Sequence, residues 1–306
     1  MTNSRERDLI GYGRRPPDPR WPGEARLAVN FVLNLEEGSE YSIGLGDGFS
    51  EVSLTEMSTS WVPHGARDLA AESMFEYGSR AGVWRVLRLF EERGLPLTLY
   101  ACALPLEQQP ELAATIREGG YDICCHGWRW VNHFLLSEAD EREHIRRAVE
   151  SLHRTVGRRP EGWYCRYAPS ENTRRLVVEH GGFLYDSDAY NDDLPYWTEV
   201  EGKPHLIVPY THANNDSKFG RGGFGTASDY ETWHRDAFDF LRAEGRHSPK
   251  MMSVGLHARL IGHPARAAGL ARFLDHVAAQ RDVWVARRAE LALHWRATFP
   301  APQVRT

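Results

Sequence analysis

Carboxylates, imidazoles and a guanidinium follow directly on short apolar runs in this 306-residue sequence, an arrangement that can hold reactive groups together. The run Arg26–Leu35 leads into Glu36 and Glu37, Tyr121–His126 ends on His126, and Gly162–Arg166 ends on Arg166. Phe183–Asp186 ends on Asp186, with Ser187 and Asp188 next, and Met251–His257 ends on His257. A carboxylate can take a proton from water, an imidazole can give one to a leaving nitrogen, and an arginine can hold a carbonyl or a developing oxyanion. These parts suffice for hydrolysis without a serine or cysteine nucleophile. Glu36 or Glu37 is the expected general base, His257 or His126 the acid, and Arg166 the oxyanion contact. Adjacent carboxylates raise each other's proton affinity, so the Glu36–Glu37 pair is expected to keep one basic group near neutral pH. Trp128 and Trp130, just after His126, either wall a small planar ring or pack in the core. Plainer readings stand beside these: a strand-terminal carboxylate such as Asp186 or Asp188 can cap a helix, and a lone histidine can be a satisfied core group.

The elements that must position these residues alternate along the chain. Candidate buried strands cover Arg26–Leu35, Pro96–Cys102, Tyr121–His126, Gly162–Arg166, Phe183–Asp186, His205–Tyr210, Met251–His257 and Val283–Ala286. Between them the spacing predicts helices over Ser79–Arg93, Glu107–Glu118, Glu138–Thr155, Asn172–His180, Asp229–Ala243, Pro264–Ala279 and Ala289–Ala297. Ser137 and Ser228 read as N-caps, and Gly94, Gly119 and Gly245 stand where helices should stop. Such alternation argues for an α/β fold with a parallel sheet, in which chemistry gathers beyond the C-terminal strand ends. Three long aperiodic segments, Glu36–Tyr77, Asp188–Lys203 and Thr211–Ala227, are expected to shape the mouth of the site. No linker or internal repeat divides the chain, which favours one domain.

Composition narrows the partners. With 42% hydrophobic and 26% charged residues and a net charge of −5, the chain can bury a large core and offers no basic stripe, so nucleic acid is not an expected partner. No apolar run reaches membrane-spanning length and the Arg- and Pro-rich first twenty residues or so lack the apolar core of a secretory signal, so the expected location is cytoplasmic, with no membrane partner. The 4 cysteines, Cys102, Cys124, Cys125 and Cys165, lie in or at the ends of apolar runs without the spacing of a zinc or redox motif, and are expected to be buried thiols.

In this order the strand-end residues resemble the polysaccharide deacetylase superfamily. Its strand running into two carboxylates and a glycine reads here Leu33-Asn34-Leu35-Glu36-Glu37-Gly38, and its strand ending in a histidine with a second histidine four residues on reads His126-Gly127-Trp128-Arg129-Trp130. Within it, Tyr185-Asp186-Ser187-Asp188, Asp192-Asp193-Leu194-Pro195-Tyr196-Trp197 and Gly255-Leu256-His257-Ala258-Arg259-Leu260-Ile261-Gly262 look like the metal-independent allantoinases. The resemblance runs from about Arg7 to Trp295. It implies a single-domain deformed parallel (β/α) barrel with about seven strands over 26–299, an N-terminal extension packed on it over 1–25 and a tail over 300–306. A dimer or tetramer of identical chains is also implied.

Two departures bear on mechanism. Metal-dependent relatives hold a divalent ion through an aspartate at the position of Glu37 and histidines at those of His126 and Trp130. An indole nitrogen only donates, so Trp130 removes a ligand, and too few remain for a catalytic metal. The resemblance therefore implies catalysis with no metal and no cofactor, unless His133 or His212 serves as a substitute ligand. A third departure lies in Trp163–Arg174, where Cys165 and Tyr167 replace the small residues that flank the allantoinase arginine. The expected substrate is a small cyclic amide, either allantoin or a related ureide, hydantoin or imide. The alternatives are a metal-dependent deacetylase of a small N-acyl compound or N-acetyl sugar, and an inactive relative that only binds a small molecule.

Overall fold

The computed structural model describes residues 7–303. Nine strands share one sheet: β1 (Leu27–Leu35), β2 (Thr98–Ala101), β3 (Asp122–Cys125), β4 (Gly162–Trp163), β5 (Tyr185–Asp186), β6 (Tyr196–Val200), β7 (Lys203–Ile207), β8 (Lys250–His257) and β9 (Val283–Val285). Their order is β6-β7-β5-β4-β3-β2-β1-β8, with β9 lying against the first residues of β1. All pairings are parallel except the β6–β7 hairpin. The sheet curls until the chain beyond β7 meets β8: Asn215 bridges Gly255, and the Gly255 amide donates to the Asn214 carbonyl at 2.9 Å. The expected deformed (β/α) barrel is therefore present.

The helices are α1 (Leu69–Tyr77), α2 (Val83–Glu91), α3 (Ala103–Gln108), α4 (Pro110–Glu118), α5 (Glu138–Val156), α6 (Thr173–His180), α7 (Ala227–Glu244), α8 (Ala258–Ile261), α9 (Pro264–Ala278) and α10 (Arg288–Thr298). Side chains alternate across a strand, and that period of two sorts the core into two layers. In β1, Leu27, Val29, Phe31, Leu33 and Leu35 join the large cluster under the helices, while Ala28 and Val32 join the cluster inside the barrel. Ile123 and Cys125 of β3 face the helices and Cys124 faces inward; Met252, Val254 and Leu256 of β8 face the helices and Met251 faces inward. Continuing the alternation past each strand points Glu36, His126 and His257 into the barrel and Glu37 away from it.

Several expectations need correction. The aperiodic stretch before Lys203 contains β6, which is only half-buried and shows no clean alternation. The helix expected to begin at Ser79 starts instead with α1 at Leu69 and runs through a π turn, Gly78–Gly82, into α2. The single helix expected over Glu107–Glu118 is broken at Pro110, which opens α4 as its first residue because proline lacks the amide a helix interior needs. Ser137 caps α5 as expected, its hydroxyl accepting from the Asp140 amide at 3.2 Å. The cap of α7 is Thr226 rather than Ser228, in a capping box with Asp229. All four cysteines are buried and free.

The N-terminal stretch ties down through Tyr12, whose hydroxyl donates to the Pro195 carbonyl at 2.6 Å, and Trp21, whose indole donates to the Lys250 carbonyl at 2.9 Å. Residues 1–6 of the expected extension and 304–306 of the expected tail lie outside the described residues. Among those described, no helix is long and apolar enough to cross a membrane.

Candidate active site

Beyond the C-terminal ends of β1, β3, β4 and β8 lies a cavity of about 230 Å³, lined by Glu36, His126, Trp130, Arg166 and His257 among others. Glu36 is its hub. Oε1 lies 3.1 Å from His126 Nε2 and 3.7 Å from His257 Nε2, and Oε2 accepts from Arg259 Nη2 at 2.7 Å. Burial alone would raise the Glu36 carboxyl, but Arg259, followed by His257 and His126, outweighs it and holds the group well below the usual carboxylate range. Glu36 is therefore not raised by its neighbour as expected: the Arg259 guanidinium pairs with both carboxylates.

Each histidine is oriented from behind. His126 Nδ1 is 2.8 Å from the Tyr164 carbonyl, which can only accept, so Nδ1 carries the donating hydrogen and Nε2 is turned toward Glu36. His257 Nδ1 is 2.6 Å from Asp216 Oδ1, and the other Asp216 oxygen accepts from the His257 and Ile261 amides at 2.7 and 3.2 Å. Burial disfavours a charged His257, but Asp216 and Glu36 outweigh it and raise its pKa above the ordinary histidine value.

Glu37 is buried behind this group. Its Oε1 accepts from Arg259 Nη1 and from the Arg259 amide, both at 3.2 Å, and its Oε2 accepts from the Glu36 amide at 3.1 Å. Strand parity sends it to the helix side, so it positions Arg259 and does not line the cavity. Arg259 also donates to the Leu54 carbonyl at 2.8 Å and stacks on Phe75 and Trp130.

The expected substrate contacts divide. Trp130 lines the cavity, with the Arg166 guanidinium 3.7 Å above its ring. Arg166 lines it too, but is paired with Glu51 at 2.6 Å and donates to the Trp130 carbonyl at 3.1 Å, so it forms wall and is not a free cation. Trp128 does not reach the cavity; it packs under Arg147, and its amide donates to His144 Nε2 at 2.9 Å. Asp186 faces outward, paired with Arg174 at 2.8 Å and His205 at 2.9 Å. Asp188 accepts from the Cys165 amide at 3.0 Å, and burial together with the Asp186 charge raises its carboxyl. Neither aspartate is brought to the site.

Sequence reasoning missed several members. Arg259 stands two residues after His257, past the end of β8, where strand alternation no longer points to it. Asn34 precedes Glu36 on the inward face of β1, and its parity was a usable signal. Asp216, Asn215 and Arg221 come from the aperiodic Thr211–Ala227 segment, where nothing local distinguishes them; His212, considered only as a substitute metal ligand, comes from the same segment and lines the cavity. Tyr164 and Tyr210 read as ordinary strand aromatics.

The polysaccharide deacetylase family model matches residues 67–185. A Schizosaccharomyces pombe protein, whose name marks it as a candidate polysaccharide deacetylase, is 39% identical over 314 aligned residues, covering 96% of this chain and 98% of its own. The chain belongs to the polysaccharide deacetylase family. Two solved structures are similar over nearly the whole length, each with a TM-score of 0.92 and 49% identity over 96% of this chain. One is a probable polysaccharide deacetylase from Pseudomonas aeruginosa PAO1, covered over 99% of its length; the other is titled Puue allantoinase, covered over 98%. As a polysaccharide deacetylase family member the chain is a hydrolase. The residues present do not fit the divalent ion of metal-dependent members, because Glu37 is already engaged by Arg259 and an indole stands at Trp130. His133 is no substitute ligand: it is buried against Glu141 at 2.9 Å, away from the cavity.

Proposed function

We propose that the protein opens a small cyclic amide, allantoin or a related ureide, hydantoin or imide, by acid-base catalysis without a metal. The observation that carries this reading is the setting of Glu36, whose two oxygens face two imidazoles and a built-in guanidinium at the floor of a small cavity. Similarity to the allantoinase structure supports the same substrate class. Water placed against Glu36 adds to the amide carbonyl and gives up a proton to the carboxylate. The C–N bond breaks as His257 Nε2 delivers a proton to the nitrogen, leaving a carboxylic acid and a free amine or ureido nitrogen. The low resting affinity of Glu36 for protons is compatible with this role, because His257 is one of the cations that depress it. Once His257 has given up its proton that depression eases, so Glu36 holds the proton taken from water until it passes back to His257.

The test is turnover by chelator-treated protein on allantoin and a panel of hydantoins, cyclic imides and N-acetyl sugars, repeated with added zinc. Ring opening without metal is the expected result. Acetate release from an N-acetyl sugar, dependent on zinc, would replace this reading with that of a metal-dependent deacetylase. Tight binding of a panel compound without turnover would make the chain a binding protein.

A further inference from the structure

The amide reaction places negative charge on the carbonyl oxygen, and Arg166, the expected partner for it, is tied to Glu51. Tyr210 offers a different donor. Its ring packs against Tyr100 and Tyr164, each with centroids 5.0 Å away, and the residue lines the cavity together with Asn34, Asn215, Glu36 and His257.

Two amides fix the hydroxyl. Asn34 Nδ2 donates to the Leu256 carbonyl at 2.9 Å, which settles the orientation of that amide, and its other hydrogen points to Tyr210 Oη at 3.2 Å. Asn215 Oδ1 accepts from the Ser217 amide at 2.9 Å, which likewise turns Asn215 Nδ2 to Tyr210 Oη at 3.4 Å. A phenol oxygen that accepts from two donors must direct its own hydrogen elsewhere, and among the described residues that hydrogen has no protein acceptor. Gly255 makes the cluster possible, since a Cβ there would overlap both Asn215 and the Tyr210 hydroxyl. Burial, as the leading cause, raises the Tyr210 pKa, so the hydrogen stays on the oxygen at neutral pH.

The geometry points to Tyr210 as a catalytic residue that donates a hydrogen bond to the oxygen of the scissile carbonyl, with Asn34 and Asn215 as its positioning residues. This rests on the amide-hydrolase reading above. It specifies that the reacting carbonyl enters with its oxygen toward Tyr210 and its carbon beside Glu36.

Tyr210→Phe keeps the ring and removes only the donor, so kcat should fall by about a hundredfold or more with KM within a few-fold. The substrate is whichever panel compound the wild type opens. Asn215→Asp is the companion variant: its carboxylate would capture the phenol hydrogen, and kcat should fall comparably although the hydroxyl remains. A Tyr210→Phe kcat within about threefold of wild type overturns the proposal, and so does an active Asn215→Asp enzyme, whatever the substrate. If the wild type opens nothing, the amide-hydrolase reading fails separately. Calorimetric titration with hydantoin then decides: a loss of about tenfold or more in affinity for Tyr210→Phe supports the donor, and equal or absent binding in both proteins rejects it.

Discussion

In the proposed reaction Glu36 and His257 divide the work because their surroundings push their proton affinities apart, the pattern expected of an acid-base pair. Removing either, by Glu36→Gln or His257→Ala, should reduce kcat/KM by about a hundredfold or more; a near-normal rate would remove that residue from the chemistry. The pH profile follows from the same shifts. His257 must be protonated, and Asp216 and Glu36 raise its pKa against burial. Activity should therefore hold through neutrality and fall as pH rises through that raised value. The carboxylate limb lies far to the acid side, because Glu36 stays ionised well below the usual carboxylate range. Asp216→Asn removes the leading cause of the upward shift, so the alkaline limb should move toward lower pH, measured as kcat/KM against pH. An unmoved limb would leave Asp216 a structural role only. Linkage has a matching sign: the raised His257 pKa contributes stability below the ordinary histidine value that is lost as pH rises through the raised one.

The helices beyond β8 and β1 hold Arg259 in place through close backbone contact. Gly82, at the end of the π turn, lies so near α8 that a Cβ would overlap the Ala258 carbonyl, and Gly262 makes a similar approach from the other side. The φ of Gly82 is −64°, so alanine is acceptable to the backbone and only the contact forbids it. Gly82→Ala should cost about 1–3 kcal/mol in a urea melt and also depress kcat, because the displaced α8 carries Arg259. Loss of stability with unchanged kcat would show that Arg259 tolerates movement of its helix. Elements of this region also show where sequence reading stops. The apolar runs of β1, β3 and β8 were legible because they are continuous and buried, and their ends gave Glu36, His126 and His257. Applied to those strands, the period of two would have preferred Glu36 over Glu37 and set Asp186 aside. The π turn, α1 and β6 were not legible, since their burial depends on neighbours distant in the chain. Asp216 was hidden for the same reason: it reaches His257 across 41 positions of sequence.

At the scale of the whole barrel, the seam between β7 and β8, bridged by Asn215 and Gly255, is also spanned by one side chain from the last helix. Arg288 is fully buried. Its Nη1 donates to Asn30 Oδ1 of β1 at 2.6 Å and to Ser253 Oγ of β8 at 3.0 Å; its Nη2 donates to Ser187 Oγ at 2.9 Å, to the Pro209 carbonyl at 2.9 Å and to the Val208 carbonyl. No carboxylate forms an ion pair with it among the described residues, so a permanent cation is held by oxygen dipoles and by the nearby rings of Tyr100, Tyr185 and Tyr210. Two effects of opposite sign compete in Arg288→Met. Removing a buried charge relieves its desolvation cost, while the acceptors it served, two of them main-chain carbonyls just before Tyr210, lose their donor. Because the guanidinium reaches oxygens on both sides of the seam, and each orphaned buried acceptor costs about 1–3 kcal/mol, the second effect should win. The variant is expected to be less stable by about 3 kcal/mol or more in urea unfolding, with kcat reduced because Tyr210 follows the released carbonyls. A variant as stable as wild type would mean that the seam holds through Asn215 and Gly255 alone, and the kinetics of the same protein would then tell whether Arg288 serves the site rather than the fold.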